Sequence, residues 1–227
     1  MTAIFPAEKK NSFFEILSFL GDKPFSIEER SYINENLVII CGQKGIGKTT
    51  VCRLLEDKIA IRYLPQITTR SKRKDDREGK NMLSYDKDMF EFGIETGEFL
   101  IAYRMKTSLF TWKETAFSVK SFKNALKSGK KIVLNMCPEA AAGVVKVFPE
   151  AKVIVIVPGD HSFFLKKRTD ITRHRQFRIQ NAFGSFSPKV DLPLEQLFFV
   201  ENKQGRPEKA ADEIAALIIE QNQRSLG

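Results

Sequence analysis

The sequence predicts an α/β protein whose mainly parallel sheet is covered by helices on both faces. Two observations predict it. Apolar runs of strand length alternate with segments of helical periodicity along most of the chain, and a glycine-rich loop, Gly42 to Thr49, stands between one such run and one such helix.

Taken in order, the segment before Asn36 reads as helical. Phe13, Phe14, Ile16, Leu17 and Leu20 recur near helical spacing and Gly21 supplies a stop. A second helix starts at Ser26, which stands three residues before Glu29 in a capping-box arrangement. Residues 1–36 are therefore expected to form a helical extension. At Leu37 the pattern changes to the apolar run Leu-Val-Ile-Ile-Cys, a strand, followed by the loop and by a helix that begins near Lys48. Further strands are expected at Ala60 to Tyr63, Phe99 to Tyr103, Lys131 to Met136, Lys152 to Val157 and Leu197 to Val200. Helices are expected around Asp86 to Thr96, Ser118 to Ser128, Glu139 to Val147, His161 to Lys167, Thr172 to Ala182 and Pro207 to Gln221. These elements make one domain over 37–227.

Composition narrows the partners. Lysine and arginine number 37 against 28 acidic residues, a formal charge of +9. The excess gathers in two stretches: Arg70, Lys72, Arg73, Lys74, Arg77 and Lys80, then Lys166, Lys167, Arg168, Arg173, Arg175 and Arg178. Neither stretch has the interleaved aromatics of a base-stacking platform, so a small phosphorylated molecule is the expected partner ahead of nucleic acid. The three cysteines, Cys41, Cys52 and Cys137, form no CxxC pair, and the two histidines lack metal-ligand spacing, which argues against a disulfide framework and a zinc site. The longest apolar runs, such as Val153 to Val157, have strand length and cannot cross a bilayer. Met1 to Asn11 lack the pattern of a secretory signal, so a cytoplasmic location is expected. The sequence leaves the oligomeric state open.

Gly42-Gln43-Lys44-Gly45-Ile46-Gly47-Lys48-Thr49 matches GxxxxGK[ST] at every required position. Glycines let the backbone curl so that successive N–H groups face a phosphate, and the following helix adds the positive end of its dipole. The expected fold is therefore the three-layer P-loop NTPase fold, and ATP with Mg²⁺ is the expected cofactor pair. Gly42 to Thr49 together with Thr50 would cradle the nucleotide, Lys48 would reach its outer phosphates as a catalytic charge, and the Thr49 hydroxyl would meet the metal. No NKxD guanine motif is present, which argues against a GTPase.

After the loop helix, Thr68-Thr69-Arg70-Ser71-Lys72-Arg73 resembles the TTRxxR segment of guanylate kinases. The likeness continues through Gly79, Phe90 and Gly97-Glu98-Phe99-Leu100, then Ser128-Gly129-Lys130, Val147-Phe148-Pro149-Glu150-Ala151 and the tail Phe199-Val200-Glu201-Asn202. It spans about 37–221. The resemblance implies an acceptor-binding lobe at about 68–115, in which Thr69, Arg70 and Arg73 grip the acceptor phosphate, and a lid at about 166–178 whose Arg168 and Arg175 act on the group in flight. Two planar guanidinium forks suit an acceptor phosphate on physical grounds as well.

The same register also shows departures. Met82 stands where the family has a phosphate-binding tyrosine, Phe110 where it has the tyrosine of YG[TS], Ile101 where it has a guanine-binding glutamate, and Trp112 where it has a small hydroxyl residue. Asn135 and Cys137 replace an acidic pair, followed by Glu139. Guanine loses its readers and the metal loses its acidic support. The resulting expectation is an ATP-dependent phosphotransferase acting on a small phosphorylated acceptor, a nucleoside monophosphate with guanosine monophosphate disfavoured, with Ile101 and Phe110 lining the acceptor site. Two alternatives stand beside it: a catalytically weakened module that binds nucleotide or protein, and a sugar-phosphate kinase resembling ribose bisphosphokinases, which keep a T-R segment.

Overall fold

The structure is a computed structural model and describes residues 14–42, 45–72, 82–106, 112–158, 197–203 and 206–224. Its centre is a five-stranded sheet, all parallel, in the order β10-β9-β2-β8-β3. These strands are β2 (Leu37–Gly42), β3 (Ile61–Tyr63), β8 (Lys131–Asn135), β9 (Lys152–Pro158) and β10 (Leu197–Asn202). β2 lies in the middle and is buried along its whole length, as a strand covered on both faces must be.

Alternation along β2 decides the layers. Leu37, Ile39 and Cys41 join one hydrophobic cluster with Ile33, Phe122, Val144 and Val145. Those partners belong to α1 (Ile27–Asn36), α4 (Val119–Leu126) and α5 (Pro138–Val147). Val38 and Ile40 point the other way, into a cluster with Val51, Leu55, Ala211 and Ile214 of α2 (Lys48–Lys58) and α6 (Pro207–Arg224). Helix, sheet and helix make the three layers that the sequence predicts. The expected capping box is present: Glu29 N–H donates to Ser26 Oγ at 3.2 Å and Ser26 N–H donates to Glu29 Oε2 at 2.9 Å.

A second five-stranded sheet, ordered β1-β6-β7-β4-β5, stands beside the first. It consists of β1 (Phe14–Phe19), β4 (Gln66–Thr68), β5 (Met82–Ser84), β6 (Phe99–Lys106) and β7 (Trp112–Ser118). One face contributes Ile101, Tyr103 and Phe117 to the cluster that contains Leu37 and Ile39, so the two sheets share a core. The other face, with Ile67, Phe99, Ala102 and Ala116, packs on Phe90 of α3 (Lys87–Glu95).

The first of these strands corrects the expectation of a helix before Gly21. Phe14–Phe19 pairs antiparallel with β6, from Phe14 opposite Met105 to Phe19 opposite Ile101, with an irregularity between Ile16 and Ser18. Six residues with four apolar positions satisfy either period, and here the edge of β6 offers backbone partners that a helix could not use. Glu15 then meets Arg104 at 2.7 and 3.0 Å, and Arg104 lies 4.9 Å over the Trp112 ring. The short strands β4 and β5 and the longer β7 are also additions to the sequence reading. The helices expected at His161 to Lys167 and Thr172 to Ala182 lie outside the described residues.

Candidate active site

β2 delivers the chain into the loop at Gly42, whose φ is +146°. A Cβ there would sit 2.5 Å from the Ile156 carbonyl oxygen of β9, so only glycine lets the loop leave the sheet this close to its neighbour. Gly47, at φ +87°, is the left-handed N-cap of α2. Asn202, the last residue of β10, donates its Nδ2 to the Ile46 carbonyl at 2.6 Å, and the same nitrogen would lie 2.7 Å from a Cβ on Gly47. Turning that carbonyl toward Asn202 gives it a partner on the outside of the loop, while α2 presents its N-terminal N–H groups toward the loop.

Lys48 opens α2 and folds back over the loop, its Nζ donating to the Gly42 carbonyl at 2.8 Å. Burial holds its pKa below the ordinary lysine range, with the thiols of Cys41, Cys52 and Cys137 as its charge neighbours. An anion in the loop would relieve that burial cost. Thr49 follows, and Asn135 at the end of β8 places its Nδ2 3.3 Å from the Thr49 hydroxyl and 3.5 Å from the Tyr63 hydroxyl. Tyr63 is buried, which pushes its hydroxyl pKa up. Thr50 is exposed on the first turn of α2.

The second sheet is tied to the end of β8. Gln66, opening β4, donates Nε2 to the Asn135 carbonyl, and the buried Tyr103 of β6 shares a hydrogen bond with the Cys137 backbone. β4 then runs straight into the segment expected to hold the acceptor phosphate. The Thr68 hydroxyl donates to the Glu114 carbonyl at 2.9 Å, fixing β4 on β7, and Thr69 N–H bonds the same carbonyl at 3.4 Å. Arg70 donates Nη1 to the Ser71 carbonyl at 2.9 Å and lies with Nη2 3.9 Å from the Met82 sulfur. Met82, in the place of the family's tyrosine, thus still touches the arginine, through a weak acceptor.

Ile101 is fully buried, opposite Phe117 in the β6–β7 ladder. It lies in the hydrophobic cluster shared with Leu37 and Ile39. Gln43, Lys44, Arg73, Phe110, Arg168 and Arg175 lie outside the described residues. Among the expected site residues the structure therefore brings together Gly42, Gly45, Ile46, Gly47, Lys48 and Thr49 around the loop, and sets Thr69 and Arg70 at the end of β4. Asn202, Gln66 and Tyr63 were not foreseen as site residues. The only local signal was their position directly after or within strands that end beside the loop.

The Mg²⁺ expected with the nucleotide finds one of its two usual protein supports. Thr49 is a hydroxyl ligand of the right kind, but the residue beside it is the neutral Asn135, where P-loop proteins supply an aspartate. No group of three or more His, Cys, Asp or Glu side chains placed to hold an ion occurs among the described residues.

Fold and loop together define a P-loop α/β protein in which a second sheet ends, at β4, in the basic segment that starts at Arg70. Comparison with known proteins makes the class narrower. The chain is 29% identical over 183 residues to the guanylate kinase of Shouchella clausii and 24% identical over 183 residues to that of Clostridioides difficile, each match covering 80% of this chain and 86% of the relative. With the guanylate kinase of Rhodococcus jostii it shares 22% identity over 207 residues, 91% of this chain and 98% of the relative. A crystal structure of guanylate kinase from Anaplasma phagocytophilum has the same fold, with a TM-score of 0.55 at 18% identity over 82% of this chain and 85% of that one. No protein-family profile matches the chain. The chain is thus similar to guanylate kinases over most of its length, its TTRxxR and GEFL segments included.

Proposed function

We propose that the protein is an ATP-dependent phosphotransferase that moves the outer phosphoryl group of the nucleotide onto a small phosphorylated acceptor, and that this acceptor is not selected by a guanine base. The observation that carries the reading is the built loop. Three glycines at positive φ, the start of α2 and the folded-back Lys48 converge where a polyphosphate would lie.

In this reading the loop N–H groups and Lys48 hold the donor phosphates and neutralise charge as it shifts toward the leaving oxygen. Such transfers need positioning and electrostatics and no nucleophilic side chain. Arg70, at the mouth of β4, holds the acceptor phosphate, with Thr69 and Arg73 of the same segment as its partners. Gln66 and Tyr103 fasten the sheet that carries Arg70 to the end of β8, one residue group away from Thr49. Donor and acceptor halves are thereby held in register by side-chain-to-backbone hydrogen bonds rather than by substrate alone. The lobe over about 68–115, the lid over about 166–178 with Arg168 and Arg175, and a cytoplasmic location complete the proposal.

The selectivity argument rests on Met82 beside Arg70, and on Ile101, which is fully buried in the shared core and offers no carboxylate to a base. A site built to bond a base discriminates strongly because its polar groups suffer when the base is wrong; an apolar wall does not. A sugar phosphate is therefore as good a candidate acceptor as a nucleotide. Release of ADP, measured across nucleoside monophosphates and ribose phosphates, tests the proposal. Turnover confined to guanosine monophosphate would refute the selectivity argument, and no turnover with any acceptor would leave a nucleotide-binding module in place of a kinase.

A further inference from the structure

We propose that the hydroxyl of Thr115 is a specificity-determining group of the acceptor site, and that it bonds a hydroxyl of a pentose phosphate whose phosphate lies at Arg70. This rests on the acceptor-site reading given above and names the chemistry that stands beside the phosphate.

Strand register brings the residues together. Tyr103 of β6 stands opposite Thr115 of β7, Thr115 opposite Thr68 of β4, and Thr68 beside Ser84 of β5. Residues directly opposite in a ladder share a face, so the four hydroxyl side chains form one row across four strands. Alternation tells which face. Ile101 and Phe117, two residues from Tyr103 and Thr115, belong to the core shared with the central sheet, whereas Ile67, Ala102 and Ala116 pack with Phe90 of α3. The row therefore faces the central sheet. Beyond it, Thr69 N–H continues the pairing onto the Glu114 carbonyl, and Arg70 brings its Nη2 to 3.9 Å from the sulfur of Met82, which lies on the same face as Ser84. A guanidinium, a row of hydroxyls and an apolar floor thus follow one another along one face.

The hydroxyls are not equally engaged. Thr68 donates to the Glu114 carbonyl at 2.9 Å and accepts the Arg70 N–H at 3.4 Å, and Tyr103 shares a hydrogen bond with the Cys137 backbone. Thr115 is fully buried, and its Oγ1 has no hydrogen-bond partner among the described residues. A hydroxyl buried in this way burdens the fold, and it favours a ligand that supplies the missing bond over an analogue that lacks it. As both donor and acceptor, a neutral hydroxyl matches a sugar hydroxyl. The acceptor reaches Thr115 from the Arg70 end, where Arg70 and Lys113 are half-buried and their long side chains can shift with a phosphate. At the other end the buried Ile101 and Phe117 bound the polar surface, so the polar part of the ligand ends at the row.

The test is calorimetric titration of the full chain with ribose 5-phosphate and with methyl phosphate, a phosphate monoester that has no hydroxyl beyond the phosphate. The wild type should bind the sugar phosphate about tenfold tighter. Thr115→Val, of the same shape without the hydroxyl, should bring the two ligands within about threefold while leaving methyl phosphate unchanged, and Thr115→Ser should keep the preference. Arg70→Ala should weaken both ligands together. A melting temperature of Thr115→Val no lower than that of the wild type separates the lost preference from unfolding. Adenosine monophosphate, titrated in parallel, gives the source of the pentose: tighter Thr115-dependent binding than ribose 5-phosphate makes the acceptor a nucleotide and weaker binding a free sugar phosphate, either one supporting the role of Thr115. A preference that survives in Thr115→Val, or none in the wild type, overturns the inference alone. Absence of binding by all three ligands overturns it together with the acceptor-site reading. Binding without ADP release when ATP is added overturns phosphoryl transfer and leaves the assignment of Thr115 standing.

Discussion

A double-mutant cycle at Gly47 and Asn202 puts the architecture of the loop to a quantitative test. Alanine at 47 would hold an L-residue at φ +87° with its Cβ 2.7 Å from the Asn202 amide nitrogen. The left-handed backbone costs ~1–2 kcal/mol. The Cβ also drives Asn202 off the Ile46 carbonyl, a hydrogen bond of 2.6 Å whose loss costs ~1 kcal/mol. Gly47→Ala should therefore destabilise by ~2–3 kcal/mol and Asn202→Ala by ~1 kcal/mol. In the double variant the obstacle is already gone, so the hydrogen bond is lost only once and the total stays near ~2–3 kcal/mol. The coupling, ~1 kcal/mol, exceeds the ~0.5 kcal/mol within which independent sites add. Urea unfolding of the four proteins, with equal m-values, measures it. Additive free energies would refute the claim that Asn202, beside the left-handed backbone, adds to the need for glycine at 47.

Three further predictions come from buried polar groups. Burial pushes the Cys52 thiol up to about 12 and raises Cys41 further, so both should resist a thiol reagent in the native protein at pH 8 and react only on unfolding; fast native labelling of either would contradict their placement. Lys152, half-buried and near Lys131, has its pKa lowered to about 8, so its charge costs stability below pH 8 and the cost fades as pH rises toward the ordinary lysine value. Lys152→Met should be the more stable protein at pH 7, with the gap narrowing between pH 8 and 10; a gap independent of pH would show that the charge is not the cause. Thr115 is fully buried, and its hydroxyl finds no hydrogen-bond partner among the described residues. Thr115→Val should match or raise the wild-type melting temperature, and a loss of several degrees would reveal an acceptor that the hydroxyl serves.

Much of the fold was legible because its signals are local. The central strands read as uninterrupted apolar runs since both faces are covered, and the P-loop is defined by residues adjacent in sequence. Ser26 announced α1 through a cap that spans three residues. The second sheet was harder to read. β4 and β5 have only three residues each, too few for any periodicity, and β1 exists because β6, far along the chain, leaves an edge for it. The site divides in the same way. Glycine and lysine positions followed from the motif, and the replacement of acidic groups by Asn135 and Cys137 was visible in the aligned strand. That Asn202 would brace Ile46 and that Gln66 would fasten onto Asn135 depends on where separate strands end in space, which no spacing along the chain encodes.

The pairing of β1 with β6 has a consequence for how the protein is made. Phe14 is synthesised long before its partner Met105, and at roughly 5–20 residues per second the ribosome leaves the first strand waiting for several seconds. During that interval the run Phe-Glu-Ile-Leu-Ser-Phe is an exposed, aromatic-rich segment of the kind that self-associates. The second sheet cannot close until β6 has emerged, while β8, β9 and β10 of the central sheet are still to come. Neither sheet is a continuous stretch of chain, so each must hold a vacancy for strands of later birth. Slow, chaperone-sensitive maturation follows from that order of emergence, and faster translation or a solubilising fusion ahead of Phe14 should raise the yield of folded protein.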